Sequence, residues 1–161
     1  MGHDKTPMTA AVRMLRQAGV AFTEHPYHYV EHGGTAAFAA QAGVDEHAVV
    51  KTLVMEDDAK KPLVVLMHGD RDVATKELAR VLGAKSVHPC APDTAERHSG
   101  YQVGGTSPFG LRKPLPIYIE ATILDLARVY INGGKRGFII GLAPADLVRL
   151  LKPTPVNVAT T

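Results

Sequence analysis

The stretch Gly100-Tyr101-Gln102-Val103-Gly104-Gly105-Thr106-Ser107-Pro108-Phe109-Gly110 carries four glycines, a proline, a threonine and a serine in eleven positions. It forms neither a helix nor a central strand. Glycine admits positive φ and close approach to the backbone, while proline fixes a turn and removes a donor. Two readings stay open from this loop alone. It is a glycine-rich turn between strands, or a cradle that aims backbone N–H groups at an anion or an oxyanion. A phosphate loop is excluded, because no Gly-Lys-Ser/Thr follows at the required spacing.

The rest of the chain supplies an α/β frame of the α+β type. Its 161 residues fit one domain, expected over 1–161, and can bury a proper core. Thr6-Pro7 is expected to start a helix that Gly19 stops. A strand is expected over Val20-Ala21-Phe22-Thr23-Glu24, left again at His25-Pro26. Thr35 is expected to cap a helix through Ala42, and Asp45 a short turn after it. Val49–Met55 and Pro62–Met67 read as an antiparallel hairpin across the polar turn Asp57–Lys61. Thr75 is expected to cap a helix ending at Gly83, and Pro92–Arg97 to form another. Leu115–Ile119 and Arg128–Ile131 read as strands, Asn132-Gly133-Gly134-Lys135 as a hairpin turn, and Arg136–Ile140 as the returning strand. A last helix runs from Pro144 to Pro153, and the tail after Pro155 is expected to fray. No βαβ rhythm recurs, so the expected sheet is mixed and strongly curved or barrel-like, flanked by helices.

Composition excludes more than it selects. A formal charge of +2 gives no DNA-coating face, so contact with RNA is expected through a local patch and a specific end group. No apolar run reaches the length of a membrane helix. The N-terminus lacks a secretory pattern, and the single cysteine, Cys90, fits a reducing cytoplasm.

Candidate side chains each have a plain alternative. Lys51 lies in an apolar strand, pointing either to solvent or into a cleft as a fixed charge. His25, His28, His32 and Glu31 match no zinc signature and read as exposed loop residues, so no metal site is assigned. Tyr27 is a packed aromatic or a pocket wall. Cys90 reads as structural, with His88 expected on the opposite strand face, and Ser107 lacks a nucleophile elbow. Lys135 and Arg136 are a solvated turn or phosphate contacts.

Together, Val50-Lys51-Thr52-Leu53-Val54, Leu82-Gly83-Ala84-Lys85, the Gly100–Gly110 loop and Gly133-Gly134-Lys135-Arg136-Gly137 resemble the YbaK group of the YbaK/prolyl-tRNA synthetase editing-domain superfamily, the Cys-tRNA(Pro) deacylases. The resemblance runs from about Thr9 to Leu151. It implies cytoplasmic trans-editing without metal or organic cofactor. Cysteine misattached to proline tRNA is removed by hydrolysis or lyase-type ester cleavage, in which the substrate's thiol attacks its own ester carbonyl. It implies Lys51, Gly104 and Gly105 as the catalytic set. Tyr27, Thr52, Thr106, Ser107, Asn132, Lys135 and Arg136 are implied as substrate contacts. The implied partners are the aminoacylated 3′ end of tRNA and prolyl-tRNA synthetase, with no DNA and no membrane. Asn132 stands where a serine is often found, and Phe138-Ile139-Ile140-Gly141 where some members carry acidic residues. These departures bear on the amino acid removed; alanine is the alternative. A tRNA- or synthetase-binding module with little catalysis, and an unrelated small-ester hydrolase, remain the other readings.

Overall fold

The two apolar runs at the centre of the chain form the expected hairpin, and the rest of the sheet is assembled on it. The computed structural model describes residues 6–160. In chain order the elements are α1 (Ala10–Gln17), β1 (Thr23–Pro26), α2 (Gly34–Ala42), β2 (Val49–Asp57), β3 (Pro62–His68), α3 (Thr75–Leu82) and β4 (Val87–Pro89). They continue with α4 (Pro92–Ser99), β5 (Ile117–Glu120), β6 (Val129–Lys135), β7 (Phe138–Leu142), α5 (Pro144–Leu151) and β8 (Thr154–Val156). The strands make one mixed sheet in the order β1-β7-β6-β2-β3-β5-β8, with β4 attached to β2.

β2 pairs with β3 along its whole length, from Val50 opposite His68 to Glu56 opposite Pro62. Its other edge is shared. β6 runs parallel to it at Val49 and Val50 only, and β4 antiparallel at Met55 to Asp57. Between those ladders the edge of β2 from Lys51 to Val54 is open, except that the amide of Cys90 donates to the carbonyl of Val54 at 3.1 Å. Backbone polar groups alternate between the two edges of a strand, so the N–H and C=O of Thr52 face the same opening as those of Val54.

Side chains alternate across β2 as the sequence pattern requires. Val50 and Val54 enter a core with Val64, Leu66, Ile131 and Ile140, closed by Val12 and Leu15 of α1 and Leu147 of α5. Met55 enters a second core with Val65, Met67 and Leu78 of α3. A third, smaller cluster joins Phe38 of α2 to Val49 and Ile139. Fully burying Leu15 and Val12, both at 0 % exposure, stabilises α1 against the sheet by about 1.5–3 kcal/mol for each side chain.

Several boundaries differ from expectation for identifiable reasons. The cap of α1 is Thr9, not Thr6: its Oγ1 accepts from the amide of Val12 at 3.0 Å and donates to the carbonyl of Gly133 at 2.6 Å. β1 begins at Thr23, later than read, and includes Pro26, which an edge strand tolerates. Gly33 occupies the cap of α2, while Thr35 Oγ1 donates instead to Glu46 at 2.7 Å and to the carbonyl of Gly69 at 3.2 Å. Ala74 precedes α3, and Thr75 is its first residue. Asp45 does cap the short 3₁₀ turn Glu46–Ala48.

Two corrections are larger. Asn132-Gly133-Gly134-Lys135 is not the hairpin turn but the bulged end of β6; the chain reverses at Arg136-Gly137. A Cβ at Gly134 would sit 2.9 Å from the Tyr101 ring and 3.0 Å from Thr9 Cβ. The glycine there admits α1 and the loop rather than making the turn. The tail from Val156 to Thr160 is ordered, not frayed, and Thr161 lies outside the described residues. β8 runs parallel to β5, the amide of Val158 donates to Glu120 at 2.7 Å, and the amide of Thr160 donates to the carbonyl of Asp72 at 2.9 Å.

Candidate active site

The open edge of β2 floors a cavity of about 440 Å³. Its walls come from Tyr27 and Tyr29 after β1, Phe38 of α2, Cys90, Ala95 of α4, the Val103–Gly104 turn, Asn132 and Arg136. The glycine-rich loop therefore faces the strand that carries Lys51, and the cavity lies between them.

Lys51 is among the residues that border this cavity, with its side chain partly buried. Its Nζ donates to Asp72 at 3.3 Å, and its side chain is 23 % exposed against 86 % for Asp72. A charge pair with so exposed a partner contributes at most about 1 kcal/mol, so Asp72 yields the ammonium readily to an arriving anion. Beside it, Thr52 Oγ1 is buried and has no hydrogen-bond partner. Leaving a buried hydroxyl unmatched costs about 1–3 kcal/mol, which a polar group in the cavity would recover.

The loop is held from three directions. Asn132 is 8 % exposed; its Oδ1 accepts from the amides of Gly134 at 2.6 Å and Lys135 at 3.0 Å, and its Nδ2 donates to the carbonyl of Gly104 at 3.2 Å. Arg136 Nε donates to the carbonyl of Val103 at 2.9 Å while its guanidinium lies 5.0 Å over the Tyr29 ring. Tyr101, buried beneath, donates its hydroxyl to the carbonyl of Phe109 at 2.5 Å, and burial raises its phenol to about 12. Gly104, at φ +88, brings its backbone against Tyr29, whose hydroxyl would lie 2.8 Å from a Cβ there. The amide of Gly105 already donates to the carbonyl of Gln102 at 2.8 Å, and Val103, Gly104 and Thr106 are the loop residues that border the cavity.

Lys51, Thr52, Tyr27, Gly104, Thr106, Asn132 and Arg136 thus meet at one cavity. Three other residues named from the sequence stand apart from it. Gly105 is buried against the β6–β7 hairpin. Ser107, at 0 % exposure, accepts from the amide of Phe109 at 3.3 Å. Lys135 is exposed and borders a neighbouring hollow with Glu24, His28 and Tyr29. Burial, reinforced by nearby Tyr29, raises the Tyr27 phenol, so the wall it forms stays a neutral donor. Tyr29 escaped the sequence reading; its only signal was alternation with Tyr27 along an extended segment.

The loop histidines do not converge. His25 Nε2 meets Thr23 Oγ1 at 2.7 Å, and His32 lies 3.9 Å from Glu31 with both side chains largely exposed. Metal-binding side chains come together in two other places among the described residues, His47–His68–Asp70 and Glu56–Cys90–His98. In the first, His68 Nδ1 meets the carbonyl of His47 and its Nε2 meets Thr122 Oγ1, both at 2.7 Å, so its ring is already occupied.

A mixed sheet and a glycine-rich loop thus enclose one cavity that Lys51 and Thr52 border. The profile of the aminoacyl-tRNA editing domain matches residues 32–150, and the chain belongs to that family. It is an enzyme of the aminoacyl-tRNA deacylase class, with hydrolase-type chemistry. It is 31 % identical over 143 residues to a protein of Enterococcus faecalis named as a candidate Cys-tRNA(Pro)/Cys-tRNA(Cys) deacylase, EbsC, covering 88 % of this chain and 87 % of that one. It is also 29 % identical to the proline–tRNA ligase of Nitratidesulfovibrio vulgaris, over 81 % of this chain but 21 % of the ligase. Among solved structures, one described as a candidate trans-editing enzyme for prolyl-tRNA synthetase superposes with a TM-score of 0.82 at 21 % identity, covering 98 % of this chain and all of that one. No helix among the described residues is long and apolar enough to cross a membrane.

Proposed function

We propose that this enzyme clears cysteine from proline tRNA, acting in trans on Cys-tRNA(Pro) by letting the substrate's own thiol do the chemistry. The observation that carries the proposal is the pairing of a fixed cation with a nucleophile-poor cavity. Lys51 and Gly104 both border it, while the one cysteine on its wall, Cys90, is a poor nucleophile. Burial, with Glu56 beside it, pushes that thiol up to about 11, so little thiolate exists at neutral pH. In the proposed reaction the substrate Sγ attacks the ester carbonyl. A C–S bond forms, the C–O bond to the ribose breaks, and the thiol proton ends on the departing ribose hydroxyl. Water then opens the cyclic thioester to free cysteine. The enzyme contributes position and charge. The amides of Gly104 and Thr106 and the ammonium of Lys51 stabilise the developing oxyanion or the terminal phosphate, and Thr52 offers its unmatched hydroxyl and its outward backbone to the aminoacyl group. Tyr27, Asn132 and Arg136 fix the rim against which the 3′ adenosine lies. Lys135, on the adjoining hollow, meets the preceding phosphate. Prolyl-tRNA synthetase, whose relative carries a matching domain, is the proposed companion.

The test is deacylation of Cys-, Ala- and Ser-tRNA(Pro), together with a Cys-tRNA(Pro) whose thiol is methylated. Wild type is run beside Lys51→Ala. The proposal expects rapid loss of free-thiol cysteine only, slowed about 10²–10³-fold by Lys51→Ala. Equal cleavage of the methylated ester, or faster loss of alanine, removes substrate-thiol assistance.

A further inference from the structure

The wall of the cavity at Cys90 has a chemistry the deacylation reading does not use. His88 and Cys90 are two residues apart at the end of β4, so alternation puts them on one face, not on opposite faces as read from the sequence. Glu56 is the direct cross-strand partner of His88. Its two carboxylate oxygens lie 3.9 Å from His88 Nε2 and 3.9 Å from His98 Nε2, the latter reaching in from α4. The same carboxylate stands close enough to the Cys90 thiol to help keep it protonated. The donor atoms of Glu56, Cys90 and His98 all lie within 4.8 Å of one another, and the side chains of Glu56 and His98 are only 17 % and 16 % exposed. A thiol, an imidazole and a carboxylate from three separate elements form a donor set suited to a borderline-soft divalent ion.

We propose that Glu56, Cys90 and His98 form a three-donor, zinc-class metal site on the cavity wall, its fourth position open, whose occupation inhibits deacylation. Zinc sits about 2.0–2.3 Å from such donors, which sets tetrahedral donor–donor separations of roughly 3.3–3.8 Å. The donor atoms of Glu56, Cys90 and His98 already lie within 4.8 Å of one another, so side-chain rotations would need to draw them in by about 1 Å or more. On binding, the Cys90 S–H bond breaks, its proton leaves to solvent and the thiolate takes the metal; the metal undergoes no redox change. Cys90 borders the cavity, so the ion presents its exchangeable face to the space the aminoacyl group occupies. A soft ion there captures an incoming thiolate and holds it away from its ester.

One neighbour opposes the metal and makes the proposal specific. Lys113 Nζ lies 3.0 Å from His98 Nδ1, and this ammonium donates to the ring, so Nε2 carries the proton. A metal on Nε2 requires the other tautomer and expels Lys113, which is exposed and free to swing out. Removing Lys113 therefore strengthens the site.

The experiment titrates the purified, tRNA-free protein with Zn²⁺ against a chromophoric chelator, and with Co²⁺ followed by its thiolate charge-transfer band. This readout does not depend on which amino acid is cleaved, so it stands or falls separately from the cysteine-editing reading. One ion per chain is expected, with the cobalt–thiolate band present. Affinity falls at least tenfold in Cys90→Ser and in His98→Asn, and rises in Lys113→Met. Zinc slows deacylation by wild type, but not by Cys90→Ser measured against that variant's own metal-free rate. A missing thiolate band overturns the site. So does an unchanged affinity in Cys90→Ser, which would place the ion at His47 and Asp70. Circular dichroism melts of each variant establish that a lost band is not a lost fold.

Discussion

Gly105→Ala is the substitution that most directly tests how the loop is aimed. A Cβ at Gly105 would lie 2.8 Å from the amide nitrogen of Arg136 and 2.9 Å from the carbonyl carbon of Lys135. Both atoms are backbone, in a hairpin held by Asn132 and by pairing of β6 with β7, so the hairpin does not give way. Restoring a carbon contact of about 3.5–4.0 Å moves the loop outward by close to 1 Å. That stretches the Asn132–Gly104 bond from 3.2 Å and the Arg136–Val103 bond from 2.9 Å. Overpacking of this kind costs about 1–3 kcal/mol; with a weakened hydrogen bond the expected loss is about 2–3 kcal/mol. At about 2–4 °C per kcal/mol for a domain of this size, Tm falls by about 5–10 °C. Deacylation, at a temperature where the variant is fully folded, falls about 10²-fold, since a 1 Å misplacement carries that penalty. Gly83→Ala is the control. Gly83 caps α3 at φ +70 with nothing within 4 Å of a Cβ, so alanine meets only backbone strain of about 1–2 kcal/mol and leaves activity unchanged. Melting curves and kcat/KM for both variants decide it. Wild-type activity in Gly105→Ala, or equal loss in Gly83→Ala, refutes the claim that contact with the hairpin positions the loop.

Other outcomes follow from the same geometry. Asp72→Asn removes the counter-ion of Lys51, and because Asp72 is so exposed, Tm moves by no more than about 2–4 °C, whereas the salt dependence of tRNA binding steepens as the lysine charge becomes fully available; a filter-binding salt series reads it. Val158→Ala, at a position 1 % exposed beside α3, costs about 2 kcal/mol, or about 4–8 °C in a calorimetric scan. His25 and His98 are both held below the free value of 6.5, His25 by burial and Arg128, and His98 by burial and Lys113. The unfolded chain therefore binds protons first. Their contribution to stability is complete above pH 6.5 and is lost as pH falls from there through the folded values. Urea titrations from pH 7.5 to 5 are expected to show it, and His25→Asn flattens the slope.

What the sequence could convey was set by how local each determinant is. The β2–β3 hairpin, the glycine stop of α3 at Gly83 and the proline start of α5 were legible, because their signals lie within a few residues. The cap of α1 was misplaced because Thr6 and Thr9 are equivalent by type; the carbonyl of Gly133, 124 residues away, distinguishes Thr9. Asn132-Gly133-Gly134 has the composition of a turn, yet those glycines are set by what approaches them, Tyr101, Thr9 and Phe138, not by chain reversal. The ordered tail is fixed by partners near Asp72 and Glu120, which no local pattern reports. At the cavity, Lys51 and the loop were readable as residues, but not that they border one cavity. The Glu56–Cys90–His98 convergence needed only correct alternation along β4 and its pairing with β2.

The interruption in the sheet along β2 has a consequence for how safely the protein can keep backbone groups available. Strand edges with unmatched amides and carbonyls normally lie at the periphery, where they recruit other chains into growing sheets. Here the open edge at Thr52 is in the middle of the sheet, roofed by the glycine loop and walled by α2 and α4. A single extended ligand end can enter and complete it; a second protein strand cannot lie alongside. The fold separates stickiness toward substrate from stickiness toward itself by placing its vacant ladder positions indoors.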